Sequence, residues 1–127
     1  MKQTAPTSPF WIYKSSRTLF NPSIIHRYTA FVLTAGLVTL VYGPWAVASG
    51  AASYARAQAL FAHPLFHAFL VVLAWSFSYH FLAGMRHLIL NAGYGLERRT
   101  ARISGIAVII ATTILTAAGC LLVLFRH

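Results

Sequence analysis

Residues 80–90 read HFLAGMRHLIL, an apolar run interrupted by two histidines and an arginine. His80 and His87 are seven positions apart. On a helix that is two turns, nearly one face, and about 10 Å along the axis. Gly84 stands between them on that face. Without a side chain it admits a flat bulky group or a closely packed helix. A neutral imidazole beside such clearance can ligate a metal. A haem suits the arrangement, with iron at His80 and acidic propionates reaching towards His87 and Arg86. Two other readings stand beside it. His80 can be a hydrogen-bond partner between helices, and Arg86, one residue off the His87 face, can meet lipid phosphates instead.

A second polar group is SIIHR, residues 23–27. Ser23, His26 and Arg27 follow the spacing i, i+3, i+4 and share a helix face. Ionisable groups inside a span cost about 2.5–3.5 kcal/mol at its centre and usually serve a function. For Arg27 alone the competing reading is a side chain snorkelling to head groups. Three polar residues on one face favour a site. No second histidine is expected at the depth of His80, so a haem here would take its other axial ligand from a partner. His63 and His67, one turn apart, lack a third ligand and read as interfacial histidines.

The elements that must position these residues are membrane helices. The 127 residues are 58% hydrophobic and 9% charged, against about a quarter charged in soluble domains. A span needs about 20 helical residues, and three stretches meet that length: about 22–47, 64–90 and 103–125. The fold expected is all-α, a three-helix transmembrane bundle over 22–127 preceded by an N-terminal segment, 1–21. Asn21 followed by Pro22 is a helix start. Gly43-Pro44 is expected to kink or end the first helix. SGAASYARAQAL suits a short interfacial helix, and NAGYGLERRT a tight loop with glycines at 93 and 95. Trp11, Tyr13, Trp45 and Tyr94 sit near span ends as belt residues, while Tyr28 and Tyr79 lie within spans, placed to face a partner helix.

Ten Lys and Arg stand against one acidic residue, Glu97. There is no basic stripe on a polar face, so nucleic acid is not an expected partner; the lipid boundary is. Lys2, Lys14 and Arg17 precede the first span, and Arg98, Arg99 and Arg102 follow the second. Arg56 and Arg126 lie on the other side. This puts the N-terminus and second loop in the cytoplasm and His127 outside. The polar N-terminus has no apolar core of signal-peptide type, so no cleavable targeting sequence is expected. Cys120, alone in an apolar stretch, reads as a small hydrophobe.

Three motifs together resemble the cytochrome b556 membrane-anchor subunits of succinate dehydrogenase, respiratory complex II. SPFWIY at 8–13 resembles the family's S-P-H-L-x-I-Y. SIIHRYTA at 23–30 resembles S-x-x-H-R-x-T/S-G. HFLAGMRHLILNAGYG at 80–95 resembles H-x-x-x-G-x-R-H-L-x-x-D-x-G. With three spans in matching order, the resemblance covers nearly the whole chain. It implies a multi-pass subunit of a bacterial inner membrane, not catalytic alone. It pairs with a second small anchor subunit to hold one haem b, alongside an iron–sulfur subunit and a flavoprotein that oxidises succinate. His80 matches the axial ligand, the other coming from the partner. Ser23 and Arg27 match the ubiquinone pocket, and His26, Arg27 and His87 match positions near the propionates. Phe10, Ala30 and Asn91 depart from the family's histidine, glycine and aspartate. Other readings are a haem-free or fumarate-reductase anchor, or a small non-redox transport or assembly protein.

Overall fold

The computed structural model describes residues 22–126. The segment 1–21, with Lys2, Phe10, Trp11, Tyr13, Lys14, Arg17 and Asn21, lies outside the described residues, as does His127. Four helices follow in order: α1 (Pro22–Ala48), α2 (Ala51–Phe61), α3 (Pro64–Asn91) and α4 (Arg98–Phe125). No strand occurs among the described residues. Helices α1, α3 and α4 are each long and apolar enough to cross a bilayer.

Helix α3 is central, packing against α1 on one side and α4 on the other. Helix α2, formed by the expected SGAASYARAQAL connection, joins the far ends of α1 and α3. The contacts run antiparallel: Gly36 of α1 faces Leu73 of α3, while Thr29 reaches His80. The buried positions among the described residues are small or polar: Thr29, Gly36, Ala46, Ala57, Ser76, Tyr79, Ala83, Gly105 and Thr112. Phe31, Leu40, Leu88 and Phe125 are exposed. Lipid tails are as apolar as leucine, so little is gained by burying leucine, and helices approach through small residues instead. At Gly36 an added Cβ would run into the Leu73 side chain.

Three details differ from the sequence expectation. The Gly43-Pro44 pair does not end α1, which continues to Ala48. Proline removes one backbone donor, and so close to the helix end little remains to be disrupted. Helix α4 begins at Arg98, ahead of the apolar stretch at Ile103, because arginines are good helix formers whose chains extend to the interface. Tyr79 is fully buried within the chain and does not face outward; its hydroxyl donates to the Pro22 carbonyl at 3.1 Å. Tyr28 is exposed. Between α3 and α4, Gly93 and Gly95 adopt φ of 90° and 71°, the left-handed region in which glycine is unstrained.

Candidate functional site

The seam between α1 and α3 brings three histidines together. The rings of His26 and His80 stack with centroids 3.9 Å apart and planes 16° apart. The His87 ring meets His26 edge-on, centroids 5.4 Å apart. The two helices cross antiparallel here, so a residue one turn inside α1 meets α3 well before its end. The expectation of no second histidine at the depth of His80 is therefore corrected: the α1–α3 pairing lays the His26 ring directly against it.

Thr29 joins the two helices at the same point. Its hydroxyl donates to the His26 carbonyl at 2.8 Å, and lies 3.0 Å from Nδ1 of His80. Thr29 is only 3% exposed, so water does not compete for these bonds. The sequence reading assigned Thr29 no role. The available signal was its place three residues after His26 on the face towards α3, visible only once the helix pairing is known.

Gly84 lies beside this cluster. A Cβ added there would meet only Nε2 of His26, at 3.8 Å, an ordinary contact. Packing within the chain therefore leaves room at 84, whereas at Gly36 an added Cβ would have to displace the Leu73 side chain. Nε2 of His26 is itself buried and has no hydrogen-bond partner among the described residues. A buried polar atom in that condition is uncommon and calls for an explanation.

The remaining candidates separate. Arg86 turns towards α4: its Nε donates to Oγ of Ser104 at 2.9 Å and its Nη2 to the Ala101 carbonyl at 2.7 Å. It thus ties α3 to α4 and is not part of the histidine cluster. Ser23 and Arg27 are exposed, on the outside of α1 near its start. Ala30 and Asn91, two of the departures from the family pattern, are also exposed, so neither substitution disturbs packing within the chain. His63 caps α3, with Nδ1 accepting from the Leu65 backbone N–H at 3.2 Å. No group of three or more His, Cys, Asp or Glu side chains among the described residues is arranged to hold a metal ion.

The chain matches the family described as succinate dehydrogenase/fumarate reductase transmembrane subunit over residues 1–119. It is 36% identical to a succinate dehydrogenase cytochrome b556 subunit of Paracoccus denitrificans, covering 73% of this chain and 72% of that protein. It is 33% identical to the protein of the same name from Rickettsia felis, covering 87% of this chain and 86% of the relative. A third, from Rickettsia typhi, is 34% identical over the same shares. No solved structure gives a significant match. Three bilayer-length helices and sequence similarity over most of the chain agree: this multi-pass membrane protein belongs to the family of succinate dehydrogenase cytochrome b556 membrane-anchor subunits.

Proposed function

We propose that the chain co-ligates one b-type haem through His80 and helps to form the ubiquinone-reduction site of a succinate:quinone oxidoreductase. The observation that carries this reading is the histidine cluster at the α1–α3 seam. The residues suit the group. His80 is held by a hydrogen bond at one ring nitrogen, Gly84 keeps clearance that the chain's own packing does not use, and the buried Nε2 of His26 could bond an acidic propionate. The His26 ring stacks on His80 at 3.9 Å and would serve a propionate and not the iron. Membership of the family supports a second small anchor subunit as the source of the other ligand.

When bound, the haem supplies one-electron storage close to the quinone. The chain's own residues do the rest. His80 would supply the imidazole ligand. His26 and His87 would bond propionates, and the Arg27 guanidinium would balance their charge. Ser23 donates to a quinone carbonyl, and Arg27 stabilises negative charge developing on the reduced ring. Family membership supports the route by which electrons from succinate would reach this site: first a flavoprotein, then an iron–sulfur subunit. The arginines at the start of α4 (Arg98, Arg99 and Arg102), together with Arg27, support a cytoplasmic side for the Pro22 end, and the bacterial relatives support an inner membrane.

The test is isolation of the assembled complex through a tag on this chain. A b-type signal in the reduced-minus-oxidised spectrum, together with succinate-driven ubiquinone reduction, is the expected result. A complex lacking both would overturn the reading. The matched family also covers fumarate reductases, so fumarate reduction by a quinol is the second reading, distinguished by running the same preparation in reverse.

Arg86 gives a contrasting prediction. Hydrogen bonds from a charged group contribute about 1.5–3 kcal/mol each when buried, and Arg86 is only partly buried. Arg86→Ala is expected to destabilise the packing of α4 by about 2 kcal/mol in total, seen as a lower melting temperature in detergent. The haem signal per folded complex should remain that of the parent protein.

A further inference from the structure

Thr29 has one hydroxyl proton and two neighbours at bonding distance, the His26 carbonyl at 2.8 Å and Nδ1 of His80 at 3.0 Å. A carbonyl oxygen can only accept. Both contacts are hydrogen bonds only if the Thr29 proton goes to the carbonyl and the Thr29 oxygen accepts from His80. Nδ1 of His80 then carries a proton, and in the neutral imidazole that ligation requires, Nε2 keeps the lone pair. The carbonyl of His26 thus sets the direction of a three-membered chain: His80 Nδ1–H to Thr29 Oγ1–H to His26 C=O. Thr29 is 3% exposed, so solvent does not compete for these bonds.

We infer that Thr29 is a positioning residue: its hydroxyl fixes the tautomer and orientation of His80 so that Nε2 faces its ligand as an unprotonated donor. The inference rests on the haem-ligand reading above. A hydrogen bond accepted from the far ring nitrogen raises the basicity of the ligating one, and loss of such a partner typically lowers affinity about 10–100-fold. A more basic axial imidazole favours the oxidised iron, so the Thr29 bond holds the midpoint potential down.

The experiment compares Thr29→Val and Thr29→Ser in the assembled complex. The valine variant keeps the shape but has no hydroxyl. It is expected to retain a b-type spectrum, with a raised midpoint potential and haem transfer to an apoprotein acceptor accelerated about 10–100-fold. The serine variant keeps the hydroxyl and should match the parent in both measurements. Thr29→Ala, which adds no bulk, carries the same expectation as valine, so poor assembly of the valine variant leaves the test intact. Parent-like potential and retention in both hydroxyl-free variants would overturn the inference. So would a serine variant shifted as far as they are. A His80→Ala complex that keeps its haem would instead sink the ligand reading on which the inference rests, and the two failures are therefore distinguishable.

Discussion

His80→Ala in the assembled complex is expected to abolish the b-type signal in a reduced-minus-oxidised spectrum. The size of the effect follows from the surroundings of His80. Nothing nearby can take over its task. The neighbouring ring, His26, is stacked parallel to it at 3.9 Å, so its own nitrogens lie in the plane beside His80 and not along a common axis with it. His87 meets His26 edge-on and is separated from His80 by that ring and two helical turns. Cys120 is on α4, far along the chain and outside the α1–α3 seam. Loss of one of two axial ligands should also loosen the anchor pair, because a shared group that binds only the assembled form stabilises it by mass action. The variant complex is therefore expected to dissociate at lower detergent concentration. His26→Ala serves as the comparison. It removes the proposed propionate partner and a stacked ring but not the proposed ligand, and should leave a b-type spectrum with faster haem loss. An unchanged signal in His80→Ala would end the ligand assignment.

The sequence and the structure divide the problem unevenly. Span existence and order are legible because hydrocarbon thickness imposes length and apolarity on a helix whatever it packs against. The turn at Gly93 and Gly95 is legible because only glycine takes its positive φ without strain. The faces are harder. A span that is apolar all round carries little record of which side meets protein and which meets lipid. Tyr79 shows this: nothing local distinguishes a tyrosine that bonds Pro22 across the seam from one that faces a partner. Arg86 shows it again, since one residue of helical rotation separates a propionate partner from a clamp on α4. Thr29 is the most informative omission. Its role needs His80, 51 residues away, and no helical period relates the two. What spacing does capture is membership of one face, hence His80, Gly84 and His87, and it is the α1–α3 pairing that adds His26 and Thr29 to them.

Arg27→Ala is expected to lower succinate-driven ubiquinone reduction by about 100-fold, at the low end of the range for removing a group that stabilises developing charge. The low end is chosen because Arg27 is exposed on the isolated chain, and its field is strengthened only by what covers it in the complex. Ser23→Ala removes a neutral donor, worth about 1 kcal/mol net, and should lower the same rate several-fold to about tenfold. Ser23 and Arg27 are one turn apart and exposed at the start of α1, so one quinone ring can meet both. Their effects should be less than additive if they hold the same ring. Arg27→Lys keeps the charge but loses the planar fork and is expected to recover only part of the rate. Succinate oxidation measured with an artificial acceptor tests whether these are site effects. It draws electrons before they reach the membrane subunits and should stay at the parent level in all three variants. If both activities fall together, the substitutions have impaired assembly; if neither activity falls, Ser23 and Arg27 hold no quinone.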